Sequence, residues 1–195
     1  MIVNDKTKEL LIVPMKCGST SFRKLYAKDK DWFDFSSNKQ LDRLPFVGVE
    51  KIHEMFRITK RDINQYNKTL IIRDPVQWLI SGFRFLQLMN HPKSPWYPKH
   101  LAKHLNKVRK DKHKDLFFTD HCCALPDRYY FQGCKIIKLE ESNLSIQENV
   151  TPSRIAYPEL DESAIQLIVQ LTEDYCELFG YDIEKSIKYY MEEIL

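Results

Sequence analysis

The sequence predicts an α/β fold, a three-layer arrangement in which helices flank a parallel β-sheet. Three short apolar runs, at residues 8–13, 68–73 and 134–139, have the length and composition of buried strands. The first two runs lead directly into segments whose apolar residues have helical spacing. Strands that alternate with helices favour a parallel sheet covered by helices.

Length and charge limit the classes of protein that remain. A chain of 195 residues can bury one sizeable core, so we expect a single domain over residues 1–195. The 30 basic and 27 acidic residues leave a net charge of only +3, which does not indicate a nucleic-acid binder. Any anion-binding site must therefore be local.

The cysteines and the apolar runs indicate in which cellular compartment the protein is expected. Five cysteines form an odd number without the density of a disulfide scaffold, so we expect reduced thiols. No charged segment followed by an apolar segment precedes the first strand, and no apolar run approaches the ~18 residues of a membrane span. We expect no membrane span and a cytoplasmic protein.

The first strand ends at Pro14 and is followed by the sequence MKCGSTSF and a helix over Ser19–Tyr26. On this helix Phe22, Leu25 and Tyr26 form the inward stripe, and Arg23 faces away. A turn from a parallel strand into a helix presents backbone N–H groups and the positive end of the helix dipole at one edge of the sheet. We expect an anion, such as a phosphate, to bind there.

The residues of this turn suit a phosphate. Gly18 allows close backbone approach, Ser19 and Thr20 add hydroxyl groups, and Lys16 supplies a mobile cation. In the alternative interpretation Ser19 is only a helix cap and Lys16 a solvated turn residue. The loop of nucleoside triphosphatases places lysine directly after its second glycine, whereas Lys16 precedes Gly18 by two residues, so the sequence departs from that loop.

The second unit is a strand ending at Arg73-Asp74-Pro75, followed by a helix that contains Ser81 eight residues after the arginine. A phosphate dianion is held well by a fork of N–H donors together with a hydroxyl, and Arg73 and Ser81 supply both. Alternatively, Arg73 only ends the strand and Ser81 bonds its own helix backbone. The third strand, 134–139, and a helix over 161–181 closed by Gly180 complete the prediction.

The order Lys-x-Gly-Ser-Thr-Ser after a proline-ended strand resembles the 5′-phosphosulfate loop of sulfotransferases that use 3′-phosphoadenosine 5′-phosphosulfate (PAPS). The resemblance implies a P-loop-like fold and no metal requirement. It also implies that Lys16 assists departure of the sulfuryl group, and that Arg73 and Ser81 hold the 3′-phosphate of PAPS and of its product PAP. The residues of the loop that would bind the donor are Lys16, Cys17, Gly18, Ser19, Thr20 and Ser21.

The C-terminal half extends the resemblance. The sequence ENVTPSR, followed by a helix that finishes in Phe-Gly-Tyr, is similar to the ending of carbohydrate-type sulfotransferases, and it adds Arg154 to the donor-binding residues. Glu140 or Glu141 takes the place of the family's acidic residue after its third core strand. The likeness covers residues 9–181. The sequence departs from many members in placing Met15 between proline and lysine, and in having Cys17.

Sulfuryl transfer to a hydroxyl usually needs a base for the proton of the acceptor. The sequence VEKIHEMF offers Glu50, His53 and Glu54, and we assign the base to His53 because its ordinary pKa is close to neutral pH. His121 is the rival base. A surface histidine without a role remains the alternative for His53.

Residues 91–114 are rich in lysine and histidine and form either a solvated surface or an arm for an acidic acceptor, with Trp96 and Tyr97 stacking on a sugar. His100 and His104 are one helical turn apart, but they lack the glutamate and third ligand of a zinc site, so no metal is predicted.

We conclude that the sequence predicts a PAPS-dependent sulfotransferase with a small-molecule or glycan hydroxyl acceptor. Two alternatives stay open. The first is a nucleotide kinase or triphosphatase with a degenerate loop, in which Asp74 binds magnesium. The second is a module that binds PAP without catalysis.

Overall fold

The computed structural model describes residues 1–14, 17–26, 28–35, 48–94, 97–111, 133–142 and 155–195, with the main chain alone for 48–51 and 110–111. Its strands are β1 (Ile2–Asn4), β2 (Glu9–Ile12), β3 (Trp32–Asp34), β4 (Asn67–Ile72) and β5 (Cys134–Lys138). Its α-helices are α1 (Ser19–Tyr26), α2 (Gly48–Ile58), α3 (Pro75–Met89), α4 (Leu101–Asp111), α5 (Glu162–Phe179) and α6 (Ile183–Tyr189). The predicted strands and helices are confirmed, with ends that differ by a few residues at most.

The chain divides into two compact units. The first contains Met1–Ile72 and Pro126–Asn149, and the second contains Arg73–Leu125 and Val150–Leu195. The single domain expected from the length stays a prediction. Within the described residues, no helix has both the length and the apolar character that crossing a bilayer requires.

The first unit holds a five-stranded mixed sheet in the order β3-β1-β2-β4-β5. The three predicted strands are parallel to one another, since β4 pairs in parallel with both β2 and β5. The expectation of a wholly parallel sheet is wrong, because β1 pairs antiparallel with both β2 and β3. The sequence gives little warning of β1 and β3, because each contains only three residues.

A tight turn joins β1 to β2 and explains their antiparallel pairing. The side-chain oxygen of Asn4 accepts hydrogen bonds from the N–H groups of Lys6 and Thr7, at 2.9 and 3.0 Å. Lys8 then adopts a positive φ of 55°. An asparagine that bonds the backbone two and three residues later reverses the chain locally, and so returns β1 into β2.

Strand burial places the core of the first unit around β2 and β4. Leu10, Leu70 and Ile72 are almost fully buried, as expected for strands covered on both faces. Phe56 on α2 stacks on Phe35 with ring centroids 5.2 Å apart. The helix α2 therefore packs in this core through an aromatic contact.

The inward stripe predicted for α1 is only partly correct. Phe22 is buried, and Tyr26 packs on Trp32 with ring centroids 4.4 Å apart. Leu25, however, is 49% exposed, and Arg23 is half-buried rather than facing away. The aromatic contact between Tyr26 and Trp32 occupies the side of the helix next to β3.

The second unit is helical, and its buried core joins α3, α4, α5 and α6. Asp161 caps α5 by accepting a hydrogen bond from the N–H of Ala164 at 2.7 Å. Gly180 ends the helix with a φ of 65°, a left-handed conformation that glycine adopts without strain. The predicted end of this helix at Gly180 is confirmed. The buried residues of the core are Val76, Leu79, Ile80, Phe83, Leu101, Leu105, Leu160, Ala164, Leu167, Ile168, Leu171, Ile187 and Tyr190.

An ionic cluster ties the β1–β2 turn to the segment after α2. The carboxylate of Asp5 accepts from the guanidinium of Arg61, with a shortest N–O distance of 2.6 Å, and from the hydroxyl of Tyr66. The guanidinium of Arg61 also lies over the ring of Phe33, 4.6 Å from its centroid. The hydrogen bond from Arg61, with a further one from Tyr66, lowers the pKa of Asp5 to about 2 from its ordinary 3.8.

We therefore predict that Asp5 makes stability depend on acid pH. A carboxyl whose pKa falls on folding stabilises the protein above its unfolded pKa, and this contribution is lost as pH falls through the folded pKa. Since Asp5 is 48% exposed, solvent screening reduces the effect at pH 7 to about 1 kcal/mol. Urea unfolding of Asp5→Asn and the parent chain should differ by this amount at pH 7 and converge near pH 2. A difference that is independent of pH would contradict the assignment.

Candidate functional site

The polar residues of interest follow the ends of two neighbouring strands. β2 and β4 are parallel, with Ile12 opposite Leu70, so their carboxyl ends lie at the same edge of the sheet. The loop toward α1 follows β2, and Arg73 is the first residue after β4. In open α/β sheets this edge is where ligands bind.

The first turn leads from β2 into α1. The N–H of Cys17 donates to the carbonyl of Pro14 at 3.2 Å, and Gly18 takes a φ of 75°. This positive φ is one that residues with a side chain rarely adopt, so the turn requires glycine here. The first bond within α1 runs from the N–H of Phe22 to the carbonyl of Gly18, at 3.0 Å. The N–H groups of residues 19–21 lie at the positive end of the helix dipole.

The side chains of this turn differ in how exposed they are to solvent. Cys17 is fully buried, so its thiol faces the core and its main chain shapes the turn. Ser19, Thr20 and Ser21 are all half-buried.

Arg23 is a cation at this turn that the sequence prediction missed. Its guanidinium donates to the carbonyl of Ser19 at 3.1 Å and to the hydroxyl of Thr20 at 3.3 Å. The helical wheel places Arg23 on the outer face, but a long side chain can fold back along its helix to reach residues three and four positions earlier. The separation of three and four residues between Arg23 and Thr20 and Ser19 is the feature of the sequence that could have predicted this contact.

Several predicted residues lie outside the described part of the chain. These are Lys16 and Arg154, the rival base His121, and Trp96. The side chain of Glu50 is also outside it. Their assignments stay predictions.

The helix α3 leaves one polar stripe accessible near its start. Between residues 73 and 84, the only side chains that are not buried belong to Arg73, Gln77 and Ser81. Gln77 and Ser81 are four residues apart on α3, which is the spacing of one helix face, and Arg73 lies just before the helix. Arg73 is joined to this stripe by its hydrogen bond to Gln77, and its pairing with Ser81 at one phosphate stays a prediction.

Contacts along the stripe fix Arg73. Its guanidinium donates to the side-chain oxygen of Gln77 at 3.1 Å. Its main-chain carbonyl accepts from the hydroxyl of Tyr175 at 3.0 Å. The motif around Arg73 does not predict either partner. Gln77 can be identified as a partner only when the start of α3 is known, and Tyr175 is 102 residues away in sequence.

Asp74 acts as a helix cap. Its carboxylate accepts from the N–H of Gln77 at 2.9 Å, Pro75 occupies the first helical position, and the side chain is 8% exposed. An aspartate followed by proline is a common start for a helix. The cap gives Asp74 a structural role, and this role explains the residue without a magnesium ion.

The base candidates differ in their surroundings. His53 is exposed on α2. Glu54 binds Arg57 through two short contacts of 2.6 and 2.5 Å. The hydrogen bond from Arg57 lowers the pKa of Glu54, which makes this carboxylate a weaker base than usual.

The described part of residues 91–114 gives no sign of a metal site. No three residues among the described histidines, cysteines and carboxylates lie close enough to hold a metal ion. His104 packs on Phe83 with ring centroids 5.7 Å apart, whereas His100 is exposed. On α4 the exposed residues include Lys103, Lys107 and Arg109.

We predict that Asp74 behaves as a cap in mutagenesis. Asp74→Ala should lower the free energy of unfolding by about 1 kcal/mol, whereas Asp74→Asn should leave it within about 0.5 kcal/mol, since asparagine caps helices equally well. Thermal or urea unfolding of both variants measures this. Equal losses for alanine and asparagine would show that the charge, and not the cap, is what matters.

Comparison with known proteins gives one informative similarity. The chain is 29% identical over 143 residues to carbohydrate sulfotransferase 10 of Xenopus laevis. The match covers 65% of this chain and 38% of the relative, so the chain spans well under half the length of that protein. No family model matches the chain, and no solved structure matches it. The similarity supports a sulfotransferase family.

Proposed function

We propose that this protein is a sulfotransferase that moves a sulfuryl group from PAPS to a hydroxyl of a carbohydrate. The observation that carries the proposal is the pair of turns after β2 and β4, each rich in donors for a phosphate. The similarity to a carbohydrate sulfotransferase agrees with it. The proposal includes a P-loop-like, three-layer fold for the chain as one domain.

The donor would be held at both turns. The main-chain N–H groups and hydroxyls of Ser19, Thr20 and Ser21 are matched to the oxygens of a 5′-phosphosulfate, together with Lys16. The stripe is matched to a 3′-phosphate, because Arg73 supplies a fork of N–H donors, Ser81 supplies a hydroxyl, and neither side chain is buried. Arg154 is a further donor-binding residue in this proposal.

The transfer step itself is a displacement at sulfur. The oxygen of the acceptor hydroxyl forms a bond to the sulfur, the bond from sulfur to the bridging oxygen of the 5′-phosphate breaks, and PAP leaves with that electron pair. Lys16 neutralises the charge that grows on the bridging oxygen. His53 takes the proton of the acceptor hydroxyl.

The acceptor class rests on the relative, whose name specifies a carbohydrate. The exposed cations of α4 would favour an acceptor with acidic groups. A direct assay incubates the protein with radiolabelled PAPS and a panel of neutral and acidic oligosaccharides. Label transferred to a glycan supports the proposal. PAP binding without transfer to any acceptor would favour the non-catalytic module, and phosphoryl transfer from ATP would favour the kinase.

The assignment of the 3′-phosphate predicts selective losses. Arg73→Ala and Ser81→Ala should weaken PAP binding by about 1.5–3 kcal/mol, or roughly tenfold to a hundredfold. Binding of adenosine 5′-phosphosulfate, which lacks the 3′-phosphate, should change much less. Calorimetry with both ligands measures the difference, and Arg109→Ala, an exposed arginine of the same unit, is the control. Equal weakening of the two ligands would remove the assignment.

Lys16 should contribute more to the transition state than to the bound donor. Lys16→Ala should reduce kcat by at least ~10²-fold while PAP affinity falls much less, because main-chain donors still hold the ground state. Lys16→Arg should rescue poorly, since a planar fork does not replace a compact ammonium at one oxygen. Single-turnover sulfation and calorimetry separate the two effects. A loss confined to binding would make Lys16 a simple anchor.

A further inference from the structure

Arg73 lies in a short connection where regular secondary structure does not fix the main chain. β4 ends at Ile72 and α3 begins at Pro75, so Arg73 is between the two elements. Its N–H donates to the hydroxyl of Tyr175 at 3.4 Å, and its carbonyl accepts from the same hydroxyl at 3.0 Å. One side-chain oxygen thus bonds both main-chain groups of Arg73.

The ring of Tyr175 is itself held firmly. Tyr175 is 4% exposed on α5. Its ring contacts three aromatic rings, with centroid distances of 4.7 Å to Phe179, 5.8 Å to Tyr181 and 5.8 Å to Trp78. A ring packed on several sides has few rotamers available, so the direction of its hydroxyl is set by the core.

We propose that Tyr175 is a positioning residue that holds the main chain of Arg73, so that the guanidinium lies over the stripe formed with Gln77 and Ser81. This inference rests on the proposed function, because it gives the stripe its ligand, a ribose 3′-phosphate. Tyr175 does not touch that ligand and acts only through Arg73.

The physical reason is preorganisation. An arginine side chain has several rotatable bonds, so a small rotation at its main chain moves the guanidinium far from its partners. The contact with Gln77 at 3.1 Å fixes the tip of the side chain, and Tyr175 fixes its base. Fixing both ends before binding lowers the entropy lost when a phosphate is captured.

The first experiment is independent of any ligand. Amide hydrogen exchange at Arg73 is measured in the parent chain, in Tyr175→Phe and in Tyr190→Phe. The control is matched, since Tyr190 is a buried tyrosine of the same unit whose hydroxyl donates to the carbonyl of Pro158 at 2.8 Å. Exchange at Arg73 should accelerate at least tenfold in Tyr175→Phe only. Unchanged exchange, or equal acceleration in both variants, would overturn the proposal.

The second experiment measures the effect on binding. Tyr175→Phe should weaken PAP binding about tenfold and leave adenosine 5′-phosphosulfate within about twofold, as expected for the loss of one hydrogen-bonded hydroxyl that acts through Arg73. In the Arg73→Ala background the same change should leave PAP affinity unaltered. Tyr190→Phe should lower the melting temperature without changing PAP affinity.

The outcomes separate this inference from the proposed function. A loss for PAP that persists without the Arg73 side chain, or equal losses for both nucleotides, would overturn the positioning role while PAP binding by the parent chain upholds the donor site. A parent chain that binds neither nucleotide would overturn the proposed function, and with it the ligand assigned to the stripe. Accelerated exchange at Arg73 in Tyr175→Phe would still support the contact between Tyr175 and Arg73.

Discussion

The parallel pairing of β2 with β4 is the constraint on which the candidate site depends. Two adjacent parallel strands end at the same edge, so the residues that follow them start from neighbouring positions. The burial of Leu10 and Leu70 in these strands stabilises the pairing.

In the proposed function, the two turns would bind an anion by different physical means. The turn at Gly18 uses the main chain, whose N–H donors are fixed once α1 forms, with Arg23 as an adjacent cation. The turn after β4 would use the side chains of Arg73, Gln77 and Ser81, which are the residues between 73 and 84 that are not buried. The cap by Asp74 fixes where α3 begins, and Tyr175 fixes the residue before it. Main-chain donors are tolerant of sequence, whereas the side-chain stripe depends on the identity of each residue.

Local patterns were sufficient to predict much of this arrangement. The helix Ser19–Tyr26, the strand and helix around Arg73 and the end of α5 at Gly180 all follow from apolar spacing and from residues with special backbone preferences. Three-residue strands such as β1 carry too little periodicity to be predicted, and so the mixed sheet was missed. The contact of Tyr175 with Arg73 depends on packing across a sequence separation of 102 residues, which no local pattern contains.

The central claim is that the two turns bind a nucleotide with a 3′-phosphate, and thermal unfolding with PAP or with magnesium and ATP tests it most directly. A ligand that binds only the folded chain raises stability by RT ln(1 + [L]/Kd). Our account predicts that PAP raises the melting temperature by several degrees at a concentration where ATP with magnesium has little effect. Stabilisation by ATP with magnesium and none by PAP would contradict the account.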